Sequence, residues 1–306
     1  RRQRQMCIRD SSYAMRGSSV YQQTLNLTIS EKQKLRRLLE ENYLPKNRVY
    51  RYNFFYDNCT TRARNIIEKC IEGKVVYSEG KERLSFRDIV HQYTKGHEWD
   101  ELGIDMCLGS EADKPIDTRK QMFAPFYMLE AAKKATIVVG DSVRPLILHE
   151  KKVVDVEPED VREGFPLSPM VCVFILIGVT CFVGWLQFKI RKIIWIWDLL
   201  LFGVQGLAGC VITFLVFFST HPTVGSNWLI LLLNPIPLIY LPVMVYRAIK
   251  GKKDYYHTIN IVCLTSFMMI MPFIQQKFNV TVLPLALCLL ICSANHVLLY
   301  YRQNNK

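Results

Sequence analysis

Acidic residues almost vanish from the second half of this 306-residue chain: 25 of its 27 Asp+Glu lie before residue 166, and only Asp198 and Asp254 lie beyond it. Of those two, Asp198 alone falls inside a long apolar stretch. No paired set of ionisable groups is therefore expected within a membrane, which disfavours ion- or proton-coupled transport. The chain also lacks a CxxC and any Cys/His spacing of the zinc-binding kind, so neither a metal nor a cofactor is expected. Residues 1–12 contain no apolar core able to serve as a signal or anchor. A domain exported across a membrane normally needs one, and the chain is expected to be incomplete at its start. Its run Met6-Cys-Ile-Arg-Asp-Ser11 resembles a translated sequencing adapter, so residues 1–12 are expected to be non-native.

What is present divides by composition near Pro166. The first part holds 29 of the 39 Lys+Arg and a net charge of +4; the remainder holds 10 and a net of +8. Residues 13–157 read as a soluble α+β domain, 158–169 as a linker and 170–306 as an all-α membrane domain. Five apolar stretches are long enough to span a bilayer, at about 170–188, 193–218, 229–246, 258–273 and 282–300. The connections after the first and third spans and the C-terminal tail hold nine basic residues, and the alternate connections hold only Lys277. That bias predicts a cytoplasmic C-terminus in the inner membrane, with the soluble domain on the periplasmic side of a double-membrane bacterium. Trp195 and Trp197 suggest that Asp198 sits hydrated at the cytoplasmic interface. His221-Pro-Thr223, Asn227 and Asn234-Pro235 gather at the opposite ends of spans two and three, as a polar vestibule or as helix caps.

Within the soluble part, Thr28-Ile-Ser-Glu31 is a capping box opening an amphipathic helix that ends before Pro45. Lys32, Lys34, Arg36 and Arg37 read as its solvated face, and the small net charge of the domain excludes nucleic acid as a partner. Gly73 suits a helix C-terminus and Val75-Val76-Tyr77 a short strand. Ser85 to Asp88 opens a helix carrying His91, while His97 is placed in a loop beside Trp99. Pro125 starts a helix to about Ala135. Thr136–Val139 and residues 145–156 alternate around Gly140-Asp141 as a β-hairpin.

The candidate chemistry lies in Tyr52-Asn-Phe-Phe-Tyr-Asp-Asn-Cys-Thr-Thr-Arg62. Asn58 is a preferred N-cap, and Ala63, Ile66, Ile67, Cys70 and Ile71 recur at helical period, with Cys59 expected to begin the same inward face. A thiol in the first turn of a helix sees unpaired amides and the positive end of the dipole, which favours its thiolate. Cys59 is thus a candidate nucleophile; the alternative is a small buried apolar residue. Cys59 and Cys70 are about 16 Å apart along one helix, too far for a disulfide, and a Cys70–Cys107 pair stays open.

This stretch, together with Gly103-Ile-Asp105, Asp113-Lys-Pro115, Met122-Phe-Ala-Pro125, His221-Pro-Thr223 and Leu233-Asn-Pro235, resembles the Lnb N-terminal periplasmic domain family of Bacteroidota, whose function is largely unknown. Asn-Cys at a helix start also looks like the circularly permuted papain-like hydrolases, which include NlpC-type peptidases and acyltransferases. The resemblance implies a papain-like domain truncated at its N-terminus, followed by a five-helix transmembrane bundle. It implies Cys59 as nucleophile and Asn58 as cap and oxyanion neighbour, acting on envelope peptide or lipid. Those hydrolases carry their histidine on a strand upstream of the cysteine. No histidine precedes His91 here, so this chain is expected to be inactive. The rival is a non-catalytic envelope protein that binds a partner or assists an exported protein.

Overall fold

Two units make up the computed structural model, which describes residues 2–78, 83–156 and 165–304. The first comprises residues 1–89 and 115–162, the second 90–114 and 163–306. Most of the linker expected at 158–169 lies outside the described residues.

The first unit runs through α1 (Arg2–Met15), β1 (Val20–Leu25), α2 (Ile29–Tyr43), α3 (Cys59–Cys70), β2 (Lys74–Val76) and the start of α4 (Phe86–Thr94). After α5 (Glu98–Cys107), which belongs to the second unit, it resumes with α6 (Thr118–Gln121), α7 (Pro125–Lys134), β3 (Thr136–Val139), β4 (Ser142–Pro145) and β5 (Ile147–Val154). This is an α+β arrangement with two antiparallel sheets, β1-β5 and β2-β3-β4. Helix starts follow their local chemistry. Thr28 caps α2 in a reciprocal box with Glu31, and Ser85 exchanges hydrogen bonds with Asp88 at the start of α4.

The expected hairpin forms only in part. Thr136–Val139 pairs with Ser142–Pro145, but the chain breaks at Leu146 and β5 pairs with β1, Leu25 opposite Ile147. Buried Leu146 is the junction: its amide donates to the Ala135 carbonyl (2.9 Å), in register with β3, and its carbonyl accepts from the Asn26 amide (2.8 Å) at the end of β1. A core of Cys70, Ile71, Ala132, Ala135, Ile137 and Leu146 closes against Leu35 and Leu38 of α2.

The second unit holds α5, a 3-10 turn at Ser110–Asp113 and five helical segments long and apolar enough to cross a membrane. These are α8 (Pro169–Ile190), α9 (Trp195–Phe218), the stretch Pro222–Ile249, α12 (Tyr255–Ile270) continued to Phe273, and α13 (Val282–Asn304). The third is not one helix. It consists of α10 (Pro222–Gly225), a 3-10 turn (Trp228–Leu231) and α11 (Ile236–Ile249), so its continuous part is about 21 Å long by helical rise, shorter than a bilayer core. The interruption lies between Gly225 and Ile236: Pro235 is the N-cap of α11, Pro237 sits in its first turn, and Pro242 lies inside it without ending it. Gly209 of α9 lets that broken segment come close, since a Cβ there would lie 2.2 Å from the Asn234 carbonyl carbon. Phe174, Phe182, Leu207 and Phe217 point outward, as a lipid-facing surface requires.

Of the residues expected to form a vestibule or caps, Asn227 and Asn234 do cap, accepting from the Leu229 (3.0 Å) and Ile236 (3.2 Å) amides, and Asn227 and Thr223 also hold α5 and the following turn to the bundle. Asn227 Nδ2 donates to the Met106 carbonyl (2.7 Å), Gln276 Nε2 to Leu108 (3.2 Å) and to Asn227 Oδ1 (2.9 Å), and the Gly109 amide to Thr223 (2.7 Å). Asn227, Thr223 and Gln276 are buried, so the space is filled by protein backbone.

A buried ion pair ties the α2 start to the hairpin. Glu31, with no exposed surface, accepts hydrogen bonds from Arg144 Nη2 (2.6 and 2.7 Å) and from the Glu72 amide (2.9 Å). Burial alone would raise the Glu31 carboxyl, but the Thr28 and Glu72 amides and the Arg144 guanidinium outweigh it and hold the group below its ordinary value. A depressed folded-state value means that this stabilisation is complete above about pH 4.3, the unfolded value, and is lost as pH falls through the folded one. Hydrogen exchange of α2 in the full chain is expected to lose protection along that acid limb. Glu31→Gln is expected to lower protection at pH 7 by about 1.5–3 kcal/mol and to flatten the limb; an unchanged limb would contradict the assignment.

Candidate functional site

Asn58 begins α3 in extended conformation and spends its whole side chain on structure. Its Oδ1 accepts from the Thr61 amide (2.9 Å), and its Nδ2 donates to the Phe54 and Phe123 carbonyls (2.9 Å each). The Thr61 hydroxyl returns the bond by accepting from the Asn58 amide (2.8 Å). The preceding rings lock this turn, with Phe55, Phe86 and Phe123 stacked edge to face or tilted at 4.6–5.3 Å between centroids.

Cys59, the first residue of α3, is exposed. The expected inward face is therefore rotated: Thr61, Arg64 and Cys70 are buried, while Cys59 and Ala63 face out. The cause is a charged side chain that apolar periodicity does not register. Arg64 turns into the core, donating from Nη1 to the Arg119 carbonyl and from Nη2 to Asn65 Oδ1 (2.9 Å). Among the described residues the Cys59 sulfur has one polar contact, the Thr60 hydroxyl at 3.9 Å. Beside it, burial holds the Tyr52 phenol above its ordinary value, with the neighbouring Cys59 thiol and Tyr50 adding to the effect. Arg62 lies 3.4 Å over the Tyr50 ring and forks onto Asp57 (2.8 and 2.9 Å). Tyr50 and Arg62 border an open groove of about 440 Å³ that continues along Ile66 and Lys69.

The histidines do not join this site. His91 belongs to the second unit, its Nε2 2.8 Å from Asp105 Oδ1, and Asp105 Oδ2 accepts from Asn279 (3.0 Å). His97 precedes the unforeseen helix α5. Cys70 and Cys107 are free thiols, as are all the described cysteines, so the open disulfide is not formed.

Sequence reasoning placed Asp198 at a hydrated interface and counted no ionisable partner for it; the structure corrects both. Asp198 is fully buried and faces α13, with Oδ2 2.8 Å from His296 Nε2 and Oδ1 3.5 Å from the Cys292 sulfur. His257 of α12 stacks on His296 with centroids 3.8 Å apart. Two histidines inside apolar spans were the available signal, and Cys292-x3-His296 on one helical face was another.

An α+β unit joined to five membrane-capable helices defines a multi-pass membrane protein. The chain belongs to the Lnb family: residues 8–95 match the model of the Lnb N-terminal periplasmic domain and residues 160–304 that of the Lnb transmembrane domain. The α+β domain is accordingly periplasmic. No curated protein and no solved structure matches the chain.

Asn58→Ala removes a cap and strands two buried carbonyls, and is expected to lower the stability of the periplasmic domain by about 1–3 kcal/mol. Asn58→Asp keeps the cap but turns a buried carboxylate oxygen toward the Phe54 and Phe123 carbonyls, so thermal unfolding of the full chain should place it well below wild type at pH 7.

Proposed function

We propose that the periplasmic domain presents Cys59 as the nucleophile of a papain-like thiol hydrolase or acyltransferase acting on an amide or ester of envelope peptide or lipid. The observation that carries this reading is an exposed thiol at the first position of a capped helix. A thiolate there would add to the carbonyl carbon, forming a sulfur–carbon bond and expelling the amine or alcohol, which must take up a proton. The Thr61 amide is already spent on Asn58 and the Arg62 amide bonds the Asn58 carbonyl, so the developing oxyanion falls to the amides of Cys59 and Thr60. Asn58 contributes by fixing the turn, with no side-chain hydrogen left to offer.

No histidine is bonded to the Cys59 sulfur. A nucleophile with no base bonded to it among the described residues supports reading this chain as inactive. The same observation favours the rival reading of a non-catalytic envelope protein that binds or assists an exported partner.

A cysteine-directed acylating probe separates the two readings. Burial pushes the Cys70 and Cys107 thiols above their ordinary values, whereas Cys59 is exposed at a helix start. In the full chain Cys59 is expected to acylate at least tenfold faster than either; equal or absent labelling would end the nucleophile reading.

The nine-to-one basic bias supports an inner-membrane orientation with the C-terminus cytoplasmic. Alkaline phosphatase fused behind the last span is expected to be inactive, and fused in the connection around His221 active. The reverse pattern would invert the topology.

A further inference from the structure

Three donor side chains from two helices converge inside the bundle: Asp198 from the first turn of α9, and Cys292 and His296 from α13. Cys292 and His296 are four residues apart, so a single helical turn puts both on one face. Their donor atoms and a carboxylate oxygen of Asp198 all lie within 4.8 Å of one another. The three residues are 3 %, 5 % and 0 % exposed respectively. Asp198 Oδ2 and His296 Nε2, though 2.8 Å apart, are not oriented as a hydrogen bond, and neither has another hydrogen-bond partner. Two donors facing one point without bonding each other is the geometry that a shared ion resolves.

The neighbours hold His296 in place. The His257 ring stacks on it, His257 Nδ1 lies 3.3 Å from the Ser293 hydroxyl, and that hydroxyl also accepts from Asn260 Nδ2 (2.9 Å). His296 also lines a cavity of about 530 Å³, shared with Trp195, Met244, Lys253 and Tyr300.

We infer that Asp198, Cys292 and His296 bind a divalent transition-metal ion of the zinc class, with a fourth coordination position left for a ligand entering from that cavity. One carboxylate oxygen, one imidazole nitrogen and one thiolate sulfur form a borderline-soft donor set that suits such an ion. Ligands about 2.0–2.3 Å from a tetrahedral centre stand roughly 3.3–3.7 Å from each other, which the 3.5 Å between Cys292 and Asp198 matches, while the 2.8 Å between His296 and Asp198 must open by about half an ångström. Charge supplies the reason for the site's place. A dication with one carboxylate and one thiolate is neutral, which is the state an apolar bundle tolerates. On binding, the Cys292 sulfur loses its proton to solvent and forms the metal–sulfur bond.

The test uses the full chain in detergent, stripped with chelator and titrated with cobalt(II) alone. Wild type is expected to take up one equivalent, to show a thiolate-to-cobalt charge-transfer band, and to give up the cobalt to zinc. Cys292→Ser should abolish the band, and Asp198→Asn or His296→Gln should weaken binding at least tenfold. Because these substitutions can unsettle the bundle, X-ray absorption on the zinc-loaded wild type decides independently: one sulfur with nitrogen and oxygen neighbours is expected. A chain that retains no ion, or a shell with no sulfur or several, would overturn the site and leave only a carboxylate–imidazole contact.

Discussion

A polar group removed from water is costly unless it finds a partner inside the chain, and that demand shapes both units. In the periplasmic domain it fixes Glu31 to Arg144 and to two backbone amides, joining the start of α2 to the β3-β4 hairpin. In the membrane unit it sets Asn227 and Gln276 on the carbonyls of residues 106 and 108, fastening α5 and its following turn to the bundle. Gly109 shows how close that fastening is, since a Cβ there would meet the Ser226 backbone at 2.6 Å.

The same constraint explains why Cys59 faces water. Asn58 and Thr61 consume the inward-facing hydrogen-bonding capacity of the turn, and Arg64 needs the interior carbonyl of Arg119. The helix rotates to satisfy them, and the thiol ahead of them is carried to the surface beside Tyr52. Structural polar residues thus decide the exposure of the candidate nucleophile. In the bundle the outcome is the opposite. Asp198, flanked by two tryptophans, turns inward because His296 and Cys292 wait on the facing helix.

The third span shows a related balance. Its helix is interrupted between Gly225 and Ile236, where a 3-10 turn and the Asn227 and Asn234 side chains satisfy freed backbone amides and Gly209 lets the stretch approach α9 closely. Irregular backbone at this depth survives because protein covers it.

The sequence by itself determined the composition boundary, the existence of five spans, the capping box at Thr28, the helix opening at Ser85, the start of α7 at Pro125 and the N-cap at Asn58. Each follows from chemistry within a few residues or from a run of apolar side chains, and the family resemblance rested on the same local strings. Tertiary structure alone decided the rest: which way α3 rotates, the pairing of β5 with β1 rather than within the hairpin, the attachment of residues 90–114 to the membrane unit, and the meeting of Asp198, His257, Cys292 and His296. Those outcomes depend on partners tens of residues away, and a partner at that distance leaves no period in the chain for sequence reading to find.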